Sequence, residues 1–149
     1  MRISTRGRYA IRLLLDLARN SKEGKPVRLA DVAKRTCISR GYLEQLAIAL
    51  KNNSLIKGIP GKKGGYCLAK PPECIRLHAV IQAAIGPISI TDCATDPEIC
   101  LMSHYCECRP IWTIINKRIV EVLNEYSLSD LMDASRLSGI SARLTELDT

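Results

Sequence analysis

No stretch of this 149-residue chain approaches the ~18 consecutive apolar residues that a membrane span requires. The opening "MRISTRGRYAIRLLLDLA" lacks a small-residue cleavage site and is interrupted by Arg6, Arg8 and Arg12, so it does not read as a secretion signal. A cytoplasmic protein with no membrane partner is expected. Internal repeats and low-complexity tracts are missing as well. Hydrophobic residues make up 46% and charged residues 25%, values that exclude wholesale disorder and fibrous repeats. The length suits one domain, or a small domain with an appendage, large enough to bury a core without staples.

Carboxylates are scarce in the first half. Residues 1–70 hold 16 Lys/Arg against 4 Asp/Glu, a net of +12, whereas residues 71–149 hold 6 against 11, a net of −5. A basic half beside a mildly acidic one points to a polyanion-binding module followed by a part with another task. The blander reading of the same half is a solvated basic surface.

A first helix is predicted over 5–20, with Thr5 as its cap and Ile11, Leu14, Leu15 and Ala18 as its apolar stripe. "SKEGKP" is a polar turn, and "VRLADVAKRT" follows as a short helix with Leu29, Val32 and Ala33 facing inward. After a tight turn at Cys37 and Ile38, Ser39 caps a helix over about 39–53 whose stripe is Leu43, Leu46, Ala47 and Leu50. Two helices across so short a turn form a helix-turn-helix. "LIKGIPGKKGGYCLAK" then reads as a hairpin, with Pro60, Gly61, Gly64 and Gly65 setting the turn and Tyr66 and Leu68 sharing a face. A hairpin directly after a helix-turn-helix is a winged-helix layout.

The predicted fold class is therefore mainly α with one small β-hairpin, a winged helix-turn-helix followed by a long helix. Pro71 and Pro72 mark a boundary, giving a DNA-binding domain over 1–72, a sensor and dimerisation region over 73–135, and a polar tail over 136–149 that is expected to fray. A helix near 76–85 stops at Gly86 and Pro87. Pro110 opens a helix to about 126 with too many apolar positions for one buried stripe, so part of it is expected to pack on a second copy. Ser129 can cap a last short helix.

A recognition helix presents its first turns to base edges while its apolar stripe docks inward. The outward positions here are Arg40, Gly41, Tyr42, Glu44 and Gln45. Gln can pair twofold with adenine, Glu can accept from cytosine, and Arg can take guanine or a phosphate. Lys62 and Lys63 in the wing suit phosphates or a minor groove, and the start of the first helix adds Arg6 and Arg8, with Thr5 as a neutral donor.

Seven cysteines without a secretion signal argue against a disulfide framework. Cys37, Cys67 and Cys74 stand singly among apolar neighbours and are expected to be buried and structural. The other four lie in "TDCATDPEICLMSHYCECRPIW", spaced C-x6-C-x5-C-x-C. Zinc sites usually show paired C-x2-C knuckles, which are absent. Wider gaps suit the larger perimeter of an iron–sulfur cluster. From spacing alone a cluster, zinc, a thiol redox switch and cysteines without a role all stay open. So does an enzyme using Cys106 and Cys108 as an attacking and resolving pair, but no substrate pocket or orienting base beyond His104 accompanies them, and no enzyme is expected.

The segments "MRISTRGRYAIRLLLDLA", "ISRGYLEQLAIALKNNSLIK", "GKKGGYCLAKPP", Cys93, Cys100 and Cys106 ahead of "RPIW", and "SLSDLMD" together resemble the Rrf-type winged-helix transcription regulators. The resemblance runs to about residue 133. It implies a homodimer on an imperfectly palindromic DNA operator, joined through the long helix, with base-reading positions at Tyr42, Glu44 and Gln45. It also implies an iron–sulfur cluster, 2Fe–2S rather than 4Fe–4S, on Cys93, Cys100 and Cys106, sensing cluster status, oxygen or nitric oxide. Two departures stand out. Pro60-Gly61 replaces the family's Arg-Gly pair in the wing. The positions where relatives supply a fourth ligand, a histidine in IscR-like members and an aspartate in NsrR-like ones, hold Arg109 and Arg8 here, and neither can ligate iron. Cys108 is the first substitute and His104 the second.

Overall fold

The computed structural model describes residues 3–148. Three helices come first: α1 (Thr5–Asn20), α2 (Leu29–Thr36) and α3 (Arg40–Asn52). The α1 cap is Ser4 and not Thr5: Ser4 is extended, and its Oγ accepts from Gly7 N–H, leaving Thr5 as the first helical residue. The buried stripe also sits one residue earlier than expected. Ala10, Leu13, Leu14 and Leu17 are fully buried, while Ile11, Leu15 and Ala18 pack at the margin, because α1 lies against α2, α3 and a fourth helix at once. Asp16, on the same buried face, accepts two 2.8 Å bonds from the Arg35 guanidinium and so ties α1 to α2. These bonds come first among the causes that hold the Arg35 pKa above its ordinary value.

Helix α2 ends at Cys37, whose φ of 57° turns the chain into α3. Ile38 takes the core position in that turn and Cys37 is exposed. Cys74 is exposed too, next to the fully buried Ile75, so of the three cysteines expected to be structural only Cys67 is buried. Ser39 caps α3 by accepting from Tyr42 N–H, and Leu43, Leu46, Ala47 and Leu50 are buried as their spacing predicted.

Strands β1 (Ile56–Ile59) and β2 (Gly65–Leu68) form the antiparallel wing, with Ile56 opposite Leu68 and Ile59 opposite Gly65. Tyr66 and Leu68 share the face that packs against the core, Leu68 opposite the buried Ile56, whereas Cys67, opposite Lys57, is buried on the other face. Val27 makes a third, one-residue strand by exchanging two 2.8 Å bonds with Tyr66.

Helix α4 (Leu77–Ile85) returns to α1 and ends at Gly86 (φ 88°). Ile75, Val80, Ala84 and Leu128 join the cluster built by α1–α3, so the core extends past residue 72. Then follow a short helix α5 (Asp92–Thr95), a 3-10 turn at Pro97–Ile99 and the long α6 (Arg109–Glu125). The chain comes back to α4 after α6, where Leu77 N–H meets Tyr126 O and Leu128 N–H meets Ile75 O.

The expected fraying tail is instead a helix, α7 (Ala134–Leu147), with no buried residue. Asp133 caps it by accepting from Ser135 and Arg136 N–H, and Arg143 holds it to the end of α6 through Glu125 (3.0 Å) and the Tyr126 hydroxyl (2.6 Å). Thr149 lies outside the described residues. Just before α7, Ser127 donates its N–H and its hydroxyl to Asp130, both at 2.8 Å. Those two bonds, helped by Arg136 and Arg76, hold the Asp130 carboxyl below its ordinary pKa against an opposing desolvation. A lowered carboxyl pKa contributes stability that is present above the unfolded value of about 3.9 and lost as pH falls through the folded one. Asp130→Ala will therefore show its full deficit in urea unfolding at pH 6 and a shrinking one below about pH 4. A deficit that is the same at pH 3 would remove the carboxylate from the account.

Candidate nucleic-acid interface and cysteine loop

The first turns of α3 lie open to solvent. Arg40, Gly41, Glu44 and Gln45 are exposed, and Arg40 Nε donates to Glu44 Oε1 at 3.0 Å. Tyr42 differs from the expectation that it faces outward: it is half-buried, its ring set edge-on to Tyr9 with centroids 5.7 Å apart. Packing took this position because the aromatic ring covers the junction of α1 and α3.

Lys62 and Lys63 are exposed at the wing tip, where Gly64 and Gly65 bring the hairpin back in close quarters. A Cβ on Gly64 would overlap Ile59 O, and one on Gly65 would overlap the Val27 carbonyl. The wing, the start of α3 and α2 enclose an open cleft of about 610 Å³. Arg28, Lys34, Arg40, Glu44 and Lys62 line it. Arg28 and Lys34 were not singled out in the sequence, although both belong to its basic half. At the start of α1 the three expected contacts part company. Thr5 and Arg8 are exposed, with Arg8 Nη2 3.5 Å from Thr5 Oγ1, while Arg6 turns inward and its Nε donates to Ala84 O at the end of α4 (2.6 Å). Each acidic residue of the basic half is paired: Asp16 with Arg35, Glu23 with Lys25, Asp31 with Arg28 and Glu44 with Arg40.

The cysteine loop runs between α4 and α6. Burial divides its four thiols. Cys93 in α5, Cys100 after the 3-10 turn and Cys106 before α6 are half-buried, whereas Cys108 is exposed at the residue preceding α6. His104 is exposed, its Nε2 3.9 Å from Glu98. Among the described residues no three His, Cys, Asp or Glu side chains stand within reach of one metal ion, so the loop has to tighten before its thiols share a ligand.

One face of α6 holds the loop. Arg109, Thr113 and Asn116 follow one another at i, i+4 and i+7. Arg109 Nε donates to Cys93 O (3.0 Å). Asn116, 6% exposed and the one buried residue of α6, accepts from Ile90 N–H (3.0 Å) and donates to Ile88 O (3.1 Å). The position where a family ligand was missing thus carries a side chain that anchors the loop backbone. A lone polar residue in the apolar run "IWTIIN" was the available signal for Asn116.

Two hydroxyls in this region, Ser103 Oγ and Thr113 Oγ1, are buried without a hydrogen-bond partner. Leaving such a group unpaired costs about 1–3 kcal/mol. Soft thiolates suit iron–sulfur clusters, copper(I) and zinc. The donor set, three half-buried thiols in a loop that also holds an orphaned hydroxyl, therefore fits a sulfur-ligated group in chemistry, and Arg109 and Asn116 both grip the first part of that loop, residues 88–93.

The Rrf2 family, described as an iron-dependent transcriptional regulator, matches residues 3–134. The transcriptional regulator IscR of Erwinia tasmaniensis is 36% identical over 143 residues, covering 96% of this chain and 86% of that protein. The structure of CymR, the global cysteine regulator of B. subtilis, superposes with a TM-score of 0.70 at 34% identity, covering 88% of this chain and 95% of CymR. That of IscR from T. potens also gives 0.70, at 30% identity, over 89% of this chain and 86% of its own.

Proposed function

This chain belongs to the Rrf2 family of winged-helix transcriptional regulators, and from that premise we propose that it is a homodimeric DNA-binding regulator whose cysteine loop holds an iron–sulfur cluster and reports its state to the operator. Residues 1–72 carry the DNA contacts, and 73–135 carry the sensor and the dimer. The observation that carries the reading is the division of the thiols by burial: Cys93, Cys100 and Cys106 are half-buried, in a loop that also holds the orphaned Ser103 hydroxyl, and Cys108 is exposed. Those three are the ligands. Cys108, able to turn inward from the head of α6, completes the set, with His104 as the next donor. A 2Fe–2S cluster, when bound, supplies one-electron redox chemistry and a centre that oxygen or nitric oxide attacks.

On the DNA side, Gln45 and Glu44 read base edges, Tyr42 reaches them from its half-buried position, and Arg40, Lys62, Lys63, Thr5 and Arg8 contact phosphates, with Gly41 allowing close approach. Arg6 acts by holding α1 to α4. Support for a second copy comes from α6, where Ile111, Ile114, Ile115 and Val122 are all more than a third exposed in the single chain. Among the described residues no helix is long and apolar enough to cross a membrane.

A second reading, thiol redox chemistry or zinc at the same cysteines, is favoured by the ungathered thiols and by the likeness to CymR. Protein purified without oxygen separates the two. Brown protein with iron and sulfide in equal amounts, colourless in Cys100→Ser and differing in operator affinity from its stripped form, is the expected result. Colourless protein holding stoichiometric zinc, or metal-free protein with thiol–disulfide turnover, establishes the second reading instead.

A further inference from the structure

The turn between Cys100 and Cys106 is inside out. Leu101, Met102 and Tyr105 are exposed, and the residue it buries is Ser103, at 4% exposure. Transfer of apolar surface from water favours the opposite arrangement. Ser103 is fixed in place by its N–H, which donates to Cys100 O at 2.9 Å, yet its hydroxyl has no partner. A buried serine in a turn ordinarily satisfies itself on a nearby backbone carbonyl. Across from the loop, Thr113 repeats the anomaly. It lies on the α6 face between Arg109 and Asn116, both of which grip the loop, and its own hydroxyl is buried and unpaired. A helical threonine commonly bonds the carbonyl four residues back, and this one does not.

We infer that Ser103, seconded by Thr113, is a hydrogen-bond donor to a sulfur atom of the group held in the cysteine loop, a ligating thiolate or an inorganic sulfide. The inference rests on the cluster reading above and adds to it two residues that are not ligands. Anionic sulfur is an acceptor, and a hydroxyl donating to it stabilises the more negative, reduced state, so the pair raises the reduction potential and slows loss of the group. The inverted turn then has a reason: when the loop tightens on the group, its inner side offers a donor to sulfur, and its apolar residues are left outside.

Ser103→Ala and the near-isosteric Thr113→Val test this, each compared with wild type in loaded and stripped form. Stripped Ser103→Ala is expected to unfold at the same urea concentration as wild type or a higher one, since it loses an unpaired buried group. Loaded Ser103→Ala will lose its visible absorbance to a chelator roughly threefold to tenfold faster, the effect of one hydrogen bond, and will be reduced at a more negative potential. Thr113→Val moves both readouts the same way, and Thr113→Ser restores them. Loaded variants that match wild type in lifetime and potential overturn the inference and leave the cluster standing. So does a stripped Ser103→Ala that is less stable than stripped wild type. Wild type that takes up neither iron nor sulfide overturns the reading beneath it and this inference together.

Discussion

Gly65→Ala will lose about 3 kcal/mol or more of folding stability, and its affinity for duplex DNA at low salt will fall by at least about tenfold. The position opens β2 opposite Ile59, where Tyr66 exchanges its two backbone bonds with Val27. A methyl group there meets the Val27 carbonyl carbon at 2.6 Å and Arg28 N at 3.0 Å, all backbone atoms that cannot rotate away. Relief requires parting β2 from Val27. That breaks both bonds and swings the wing, with Lys62 and Lys63, away from the cleft it shares with α2 and α3. Urea unfolding measures the first effect, and fluorescence anisotropy with a labelled duplex of any sequence measures the second. Wild-type values in both would mean that the Val27 pairing holds nothing in place.

Asn116→Leu will cost about 2–4 kcal/mol and unfasten the cysteine loop. The side chain is close to leucine in size, so a cavity contributes little. The loss comes from the Ile90 N–H and the Ile88 carbonyl, each left without its partner at a part-buried site, at about 1–3 kcal/mol apiece. Of the side-chain hydrogen bonds from α6 to the loop backbone, only that of Arg109 to Cys93 O then remains. Alkylation of Cys93, Cys100 and Cys106, now half-buried, will quicken, while that of the exposed Cys108 stays as it was. Unchanged rates at all four thiols, in a variant that still folds, would separate Asn116 from the sensor.

Where one residue type has one physical use, the sequence was a good guide. Ser39 before an apolar stripe caps α3, and Leu43, Leu46, Ala47 and Leu50 bury as a set. The hairpin was visible in its glycines, and Gly86 does stop α4. Periodicity left α1 ambiguous by one residue, because Leu13, Leu14, Leu15 and Leu17 satisfy two overlapping stripes, and only the partners of the helix choose between them. Helix α7 was missed because "ASRLSGISARLTEL" is polar overall, and what fastens it lies in Asp133 and in Glu125 and Tyr126, 17 or more residues before Arg143. At the cysteine loop the ligand types were legible. The supports were not: Arg109 read as a missing ligand, and Ser103 as one more polar loop residue. Their roles follow from burial and from contacts with backbone atoms, which residue identity does not record.

The pairing of every carboxylate in residues 3–70 with a cation of the same half changes what its net charge means to a polyanion. No unpaired carboxylate remains there to repel phosphate, and the cations left over bear on the DNA undiluted. Each one that settles on a phosphate displaces about 0.9 of a condensed counterion, so the salt sensitivity of binding counts the cations the fold has not already matched internally. Arg35, locked on buried Asp16, is withdrawn from that count. Arg28 and Arg40, in exposed pairs at the cleft, can exchange a carboxylate for a phosphate, and whether they do sets how steeply the complex loosens as ionic strength rises.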